Sequence, residues 1–422
     1  MGHAPYIRFL VYLPRVRLLP LLLPRLYLGT DSYPTTSSQF NAVFSTMSTE
    51  PPPRQITLPN HRLRKWAQHL LTLHLHLSHP QTPPPTNSPK HPTRTRIVCI
   101  SDTHNNKPFL PHGDILIHAG DLTENGSFDE LQAQIHWLSA QPHRHKIVVA
   151  GNHDVLLDEH FLDRYPERRY GSRKTKRELD WGGVIYLQDG GVTITLTPGP
   201  GLPLGFEITD QDGQQEQEEH PEHTAQDEAH ELNSTTINPG TAECNHQSAP
   251  SETQRTLTIY GSPQTPQYGV SAFQYPPSSA PQTWDRKIPS NTDIVIVHGP
   301  PRLHLDTLDP LGLGLRHAGD AYLSREIARV RPRVVVFGHI HVRYGREDVV
   351  LDSVRRGYED VLNRVGGWGT LGVMVLGAVW GFLRRVAGFG VGDQRVTTFV
   401  NAAVVGGGLQ NELRNEAIVV DL

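Results

Sequence analysis

Short apolar segments, each ending in Gly, Asp, Asn or His, recur along the chain from residue 96 onward. Each is a nearly continuous run of mostly aliphatic residues, which is typical of a strand that is buried on both faces of a sheet. We therefore predict buried strands in five segments, which are 96–101, 114–119, 146–150, 293–297 and 333–337.

Two other segments place their apolar residues on one face of a helix. In 127–141 such residues recur every three or four positions, and Ser127 and Glu130 have the spacing of a capping box. In 320–331 the same periodicity ends at Pro332, which cannot continue a helix. Because these helices alternate with the strands, the pattern predicts an α/β domain built of layers.

The ends of the chain and one internal segment lack this pattern. Hydrophobic residues form only 37% of the 422 residues, which is a low share for a uniformly packed chain of this length. We predict a largely disordered extension over 1–95, which contains a short amphipathic helix at 62–76 and ends in a proline-rich linker. Within the domain at 96–422, the segment 198–254 has twelve acidic residues and no Lys or Arg, and we predict a disordered insertion there.

The start of the chain allows two interpretations. The first thirty residues contain four arginines, no Asp or Glu, and many leucines, a composition similar to that of a mitochondrial transit peptide. Four prolines interrupt any long helix there. Met47 opens a polar segment that would make an ordinary start, so Met1 and Met47 both remain candidates for the first residue.

A second predicted insertion, at about 346–395, contains an uncharged apolar segment at 365–383. Its nineteen residues just reach the length of a membrane span. A single crossing would leave parts of one domain on opposite sides of the membrane, so contact with a membrane surface and burial inside the protein are the alternatives. Trp368 and Trp380 are the candidate interfacial anchors.

The net charge argues against one class of partner, and the cysteine content excludes two kinds of site. The net charge of -4 creates no field that would recruit a nucleic-acid polymer, and we expect none as a partner. The two cysteines, Cys99 and Cys244, can form neither a disulfide framework nor a cysteine metal cluster. A reducing compartment follows, so we expect a cytoplasmic or membrane-peripheral protein.

Polar residues follow each of the five predicted strands at its carboxyl end. They are Asp102 and His104, then Asp121, Asn152, His298, and finally His339 and His341. Sites in open α/β sheets assemble beyond the carboxyl ends of strands, so these side chains are expected to converge. We also expect each Asp-x-His or His-x-His pair to lie on extended chain and to point to one side. Imidazole and carboxylate ligands suit Fe, Zn or Mn.

The order Asp-x-His, Gly-Asp, Gly-Asn-His-Asp, His and Gly-His-x-His resembles the ligand signature of the calcineurin-like metallophosphoesterases. Over 96–422, outside the two insertions, the chain is similar to the metallophosphoesterase-domain-containing, UPF0046-like phosphodiesterases of animals and fungi. The resemblance implies a four-layer αββα sandwich with two mixed sheets. It also implies hydrolysis of small phosphodiesters, cyclic nucleotides among them, by a hydroxide held between two metal ions.

Carried over residue by residue, the resemblance implies the role of each side chain. One divalent or trivalent metal (Mn, Fe or Zn) would be held by Asp102, His104, Asp121 and His341. The second would be held by Asp121, Asn152, His298 and His339, so that Asp121 bridges the two. His153 would protonate the leaving group or bind a phosphate oxygen, and Asp154 would fix the His153 ring.

Departures from the family pattern concern the substrate. Protein phosphatases of this fold follow Gly-Asp with an arginine-containing motif, whereas Asp121 is followed by 122–126, which contains no arginine. A Ser/Thr-type protein phosphatase is therefore the less favoured alternative. Gln264 replaces the usual tryptophan, and Asp320 replaces the usual cysteine. A metal- or nucleotide-binding scaffold with little turnover is the alternative from another class.

Overall fold

The computed structural model describes residues 60–78, 94–170, 172–196, 207–209, 255–309, 317–387, 395–406 and 411–422. The transit-peptide-like start, Met47, most of the proline-rich linker and most of the acidic segment 198–254 lie outside the described residues.

Fourteen strands and seven α-helices form the described part of the chain. The strands are β1 (Arg96–Ile100), β2 (Ile115–Ala119), β3 (His145–Val149), β4 (Val184–Tyr186), β5 (Gly190–Leu196), β6 (Glu207–Thr209), β7 (Arg255–Ser262), β8 (Thr265–Pro266), β9 (Gln274–Tyr275), β10 (Ile294–Val297), β11 (Val334–Phe337), β12 (Gly345–Val350), β13 (Val396–Asn401) and β14 (Ile418–Asp421). The helices are α1 (Asn60–Ser78), α2 (Phe128–Ser139), α3 (Glu159–Arg164), α4 (Ala280–Trp284), α5 (Ala321–Val330), α6 (Ser353–Leu362) and α7 (Trp368–Val386).

Two mixed sheets organise the domain. The first has the strand order β14-β1-β2-β3-β4, and only β14 runs antiparallel to its neighbour. The second has the order β12-β13-β11-β10-β7-β5-β6, with four parallel strands from β13 to β7. All five predicted strands are present as β1, β2, β3, β10 and β11, and each lies inside a parallel part of its sheet.

The two sheets face each other, and helices cover their outer sides. Alternate residues of β1 divide between two cores: Ile97 and Cys99 pack between the sheets, whereas Val98 and Ile100 pack against α2 and α3. The outer face of the second sheet packs against α4 and α5 through a core that includes Trp284. Because both faces of each parallel strand are buried, its sequence is largely apolar. The four-layer αββα prediction is confirmed.

Both predicted helices are present, and the capping box predicted for the first is confirmed. Ser127 and Glu130 form a capping box at the start of α2. The carboxylate of Asp320 accepts hydrogen bonds from Tyr322 N and Leu323 N at the start of α5. These side chains satisfy backbone N–H groups that have no partner inside the helix.

A separate cluster of three helices joins α1 to the segment that contains α6 and α7. Its core includes Leu63 and Leu71 of α1, Val354 of α6 and Met374 of α7. His74 Nε2 lies 2.5 Å from Asp352 Oδ2, at the cap of α6. The amphipathic helix predicted at 62–76 is therefore present, and it packs against residues almost 300 positions later in the chain.

The segments predicted as insertions contain regular structure where they are described. In 198–254, residues Glu207–Thr209 form β6, which pairs with β5. At the start of 346–395, β12 (Gly345–Val350) pairs with β13, so this part belongs to the second sheet. The apolar segment 365–383 lies almost entirely within α7. None of the helices in the described ranges is long and apolar enough to span a membrane.

Candidate metal centre

The carboxyl ends of five parallel strands meet at one edge of the two sheets. β1 continues into Ser101, which pairs in parallel with Ala403 beyond β13 and so joins the first sheet to the second. The seven predicted ligand residues follow β1, β2, β3, β10 and β11 at this edge. Five of them are buried, whereas His339 and His341 are partly accessible. The structure therefore brings together all seven side chains that the sequence singled out.

Four of these residues have left-handed backbone, which corrects the prediction of extended chain. The φ angles are 54° for Asp102, 43° for His104, 53° for Asp121 and 66° for His339. A non-glycine residue with positive φ is strained and persists only where its surroundings hold it, commonly at functional sites. Tight turns, and not strand alternation, thus direct these side chains. His339 and His341 consequently belong to different groups of neighbouring ligand atoms.

Two glycines make room for the ligand residues. Gly120 has φ +96°, and a Cβ there would lie 2.6 Å from Nδ1 of His298. A Cβ on Gly338 would lie 1.9 Å from Oδ2 of Asp102. Any other residue at 338 would therefore displace the Asp102 carboxylate.

One group of neighbouring ligand atoms comprises Asp102, His104 and His341, whose atoms all lie within 4.8 Å of one another. Nε2 of His341 lies 3.1 Å from Oδ1 of Asp102. The Asp102 carboxylate also accepts a hydrogen bond of 3.0 Å from the backbone N–H of His339. This bond fixes the orientation of the carboxylate toward the two imidazoles.

A second group comprises Asp121, His298 and His339. Nδ1 of His298 lies 2.9 Å from the carbonyl oxygen of Ala119, which can only accept a hydrogen bond, so the proton is on Nδ1. Nε2 then faces Oδ1 of Asn152 at 3.1 Å and Oδ2 of Asp121 at 3.3 Å. A neutral His298 would thus point a lone pair at two oxygen acceptors, an arrangement that a cation or an added proton must neutralise.

Asp121 lies between the two groups. Its Oδ2 atom is 3.3 Å from Nε2 of His298 and 3.8 Å from Nε2 of His104. Its Oδ1 atom accepts a hydrogen bond of 2.8 Å from the backbone N–H of His153. This carboxylate therefore borders ligand atoms of both groups.

The carboxylates change the pKa values of the buried histidines. Burial opposes protonation of His298, but the negative charges of Asp121 and Asp102 outweigh it and raise the pKa to about 9. Burial likewise opposes protonation of His104, and the neighbouring Glu124 and Asp121 raise its pKa to about 9. For His339, burial and the charge of His298 lower the pKa to about 3. The raised pKa values of His298 and His104 show that the carboxylates attract positive charge, which a metal ion would supply.

His104 provides a direct test of whether a metal fits. Its ring is buried, and within the described part of the chain neither ring nitrogen makes a hydrogen bond. Unpaired buried polar atoms are rare and call for an explanation such as an ion. Nε2 of this ring faces Asp121 at 3.8 Å, which leaves space for an ion between the two groups. The residues present therefore fit a metal centre.

His153 lies at this centre, but Asp154 does not hold its ring, contrary to the prediction. Nδ1 of His153 is 2.7 Å from the carbonyl oxygen of Glu124. The buried Asp154 carboxylate instead accepts hydrogen bonds from Gly151 N, Leu122 N, Thr123 N and Thr123 Oγ1. The carboxylate turns inward because those N–H and O–H donors surround it. Asp154 thus joins the turn after β2 to the turn after β3.

Sequence reasoning missed several residues around the ligands. Glu124 Oε2 lies 3.4 Å from Nδ1 of His104, and Asn411 donates a hydrogen bond to the same carboxylate oxygen. The His104 ring beside it lowers the pKa of Glu124. The ring of Tyr268 lies 5.0 Å from that of His339 at the accessible side of the centre. These residues belong to no motif, so only the folded chain reveals them.

The two departures from the family pattern have structural partners. Nε2 of Gln264 donates a hydrogen bond of 3.1 Å to Asp189. Asp320 caps α5 and accepts a hydrogen bond of 2.6 Å from the hydroxyl of Tyr275. Neither residue is among the candidate ligands, so neither substitution alters the centre directly.

Comparisons with known proteins agree with this geometry. A sequence model of the calcineurin-like phosphoesterase family matches residues 95–236. Metallophosphoesterase domain-containing protein 1 of Homo sapiens is 31% identical over 276 residues, which are 62% of this chain and 65% of that protein. A UPF0046 protein of Caenorhabditis elegans is 27% identical over 267 residues, which are 62% of this chain and 68% of that protein.

A longer relative carries a different name. A protein of Emericella nidulans named probable rhamnogalacturonate lyase C is 37% identical over 329 residues, which are 78% of this chain and 24% of that protein. The chain thus spans about a quarter of that relative and just under two thirds of the human one. Most of the Emericella protein lies outside the match, so its lyase name describes a much longer chain.

Proposed function

Because this chain carries a calcineurin-like metallophosphoesterase domain, we propose that it hydrolyses small phosphodiesters with the help of two metal ions. The observation that carries the proposal is the position of the Asp121 carboxylate, which lies between His298 and His104. A carboxylate shared by two sets of ligands is what a two-metal hydrolase requires. A cyclic nucleotide is one such small diester.

Two sets of side chains would hold the metals, which we propose to be Mn, Fe or Zn because the ligands are imidazoles and oxygens without sulfur. One metal would be bound by Asp102, His104, Asp121 and His341. The other would be bound by Asp121, Asn152, His298 and His339. When bound, these ions would stabilise charge on the phosphoryl oxygens and lower the pKa of a water molecule.

His153 is the residue that we assign to the leaving-group oxygen. A ring nitrogen of His153 lies within 4.8 Å of ligand atoms of both His104 and Asp121, and the ring is partly accessible. The Glu124 carbonyl oxygen accepts a hydrogen bond of 2.7 Å from Nδ1–H, so Nε2 is the nitrogen that remains for the substrate. In the doubly protonated ring, Nε2 would donate its proton to the departing oxygen. Asp154 would act by holding the turns that carry His153 and Asp121.

Two features near the centre support a small diester as the substrate. Residues 122–126 contain no arginine to bind the phosphate of a phosphoprotein, and Leu122 and Thr123 are buried. Tyr268 is 48% exposed beside His339 and offers an aromatic surface to a planar group such as a nucleobase. A diester with one planar substituent would therefore contact both the centre and this ring.

The test compares a diester with a phosphopeptide in the presence of Mn, Fe or Zn. We expect the purified chain to hydrolyse bis-p-nitrophenyl phosphate faster than a phosphoserine peptide. Asp121→Asn should lower kcat/KM for the diester at least about 1,000-fold, because it weakens both metal sites at once. Asp320→Asn is the matched control: asparagine also caps helices, so activity should stay at the level of the unmodified chain.

Other outcomes would favour the alternatives. Faster turnover of the phosphopeptide would indicate a protein phosphatase. Metal binding without turnover of either compound would indicate a scaffold. Full activity of Asp121→Asn would contradict the proposed centre itself.

A further inference from the structure

Helix α7 uses only a narrow part of its surface to pack against the rest of the protein. Leu371, Met374 and Ala378 are buried against α1 and α6. These residues are three or four positions apart in the sequence, so they form one stripe along the helix. The stripe attaches α7 lengthwise to its neighbours.

The remaining surface of α7 is apolar and exposed, and we name it the α7 outer face. It consists of Trp368, Val373, Val375, Leu376, Val379, Trp380, Phe382, Leu383 and Val386, each of which is at least 43% exposed. A surface helix normally carries charged residues opposite its buried stripe. Contiguous exposed apolar surface of this kind marks a site of contact with a protein or a membrane.

The charges at the two ends of the α7 outer face are positive. Residues 361–387 contain three arginines and no Asp, Glu or Lys, and exposed Arg364 and Arg384 stand at the two ends of the uncharged segment. The neighbouring α1 also lacks acidic residues and exposes Lys65 and Trp66. Anionic lipid headgroups attract positive charges beside an apolar face, whereas a protein partner has no general need for such charges.

The tryptophans have the distribution expected at a bilayer surface. Trp368 begins α7, Trp380 lies three turns later, and both are more than half exposed. Indole rings prefer the headgroup region, and helices with an apolar face and flanking cations lie in that plane. Because α7 is attached to the protein along its length, the opposite surface can lie flat on a membrane.

We propose that the α7 outer face docks the protein on the surface of an anionic phospholipid bilayer, with α7 lying in the plane of the interface. The apolar side chains would insert between the headgroups, and the arginines would contact lipid phosphates. This surface contains none of the residues of the metal centre, so the inference does not depend on the proposed hydrolysis.

Flotation of the full chain with lipid vesicles tests this inference. We expect the chain to float with vesicles of phosphatidylcholine and phosphatidylserine, and to float less with phosphatidylcholine alone. Leu376→Glu and Trp380→Glu should each weaken vesicle binding at least about tenfold, because each removes a large inserting side chain. Arg364→Gln and Arg384→Gln should each weaken binding to the anionic vesicles about fivefold.

The matched control adds the same charge to another exposed apolar side chain. Phe109 is 88% exposed and lies beside Leu413 and Ala417, outside the cluster formed by α1, α6 and α7, so Phe109→Glu should leave vesicle binding unchanged. Hydrolysis of bis-p-nitrophenyl phosphate without lipid should be equal in Leu376→Glu and the unmodified chain. This readout separates failure of docking from failure of the proposed function.

Three results would overturn the inference. The first is a full chain that stays in the vesicle-free fraction with both lipid mixtures. The second is a dimer in lipid-free solution that Leu376→Glu converts to a monomer, since the face would then contact a second copy. The third is an equal loss of binding in Phe109→Glu.

Discussion

Replacing Gly338 by alanine adds one carbon atom, the Cβ, next to the metal centre. The added Cβ would lie 1.9 Å from Oδ2 of Asp102 and 2.1 Å from Oγ of Ser101. Because ordinary contact begins at 3.4 Å, the Asp102 carboxylate must move by about 1.5 Å. Gly338 has no positive φ, so the effect arises from this contact and not from backbone strain.

The size of the effect follows from that displacement. Misplacing a catalytic group by about 1 Å costs roughly 100-fold in rate, so we expect kcat/KM for a phosphodiester to fall at least that far. Overpacking of this kind costs about 1–3 kcal/mol of unfolding free energy, which leaves most domains folded. Urea unfolding and diester hydrolysis, measured on the same preparation, separate the two effects.

Gly372→Ala in α7 is the matched control for this substitution. Nothing lies within 4 Å of a Cβ at that position. Alanine should therefore leave hydrolysis unchanged and raise the helix propensity by up to about 1 kcal/mol. Unimpaired activity and metal content in Gly338→Ala would show instead that Asp102 can move without consequence.

Two further predictions concern stability. His304 is buried between Glu347 and Glu359; burial opposes its protonation, but the two carboxylates raise its pKa to about 9. Protonated His304 therefore stabilises the folded chain. This stabilisation is fully present below the ordinary histidine pKa of 6.5 and is lost as the pH rises through about 9. The free energy of unfolding should fall by up to about 3 kcal/mol between these two pH values. His304→Gln should reduce that dependence by the share of His304, because His298 and His104 also have pKa values of about 9. Urea titrations at several pH values measure this change, and an unchanged slope would contradict it. Asp154→Ala should cost on the order of 3 kcal/mol in urea unfolding, because four donors lose their buried acceptor, and a cost below about 0.5 kcal/mol would exclude this role.

The strands and the set of candidate ligands could be predicted because both depend on local pattern. An apolar run followed by Gly-Asp or Gly-His-x-His marks the end of a buried parallel strand, and such ends converge wherever the sheet forms. The direction of each side chain could not be predicted in this way. It depends on left-handed turns such as those at Asp102 and His339, whose strain is held by distant hydrogen bonds.

Contacts between distant parts of the chain account for the other differences. The Asp154 carboxylate turns toward donors on the loop after β2, about thirty positions earlier, and no pattern around Asp154 indicates this. Likewise α1 packs on α6 and α7 through pairs such as His74 with Asp352. Helical periodicity reveals that an apolar face exists, but the partner of that face depends on the whole fold.

Anomalous X-ray diffraction from crystals soaked in Mn²⁺ tests whether two metal ions share the Asp121 carboxylate. We expect two anomalous peaks about 3.5–4 Å apart, one on each side of Asp121 Oδ2 and each next to its own set of histidines. A single peak, or peaks away from Asp121, would contradict it.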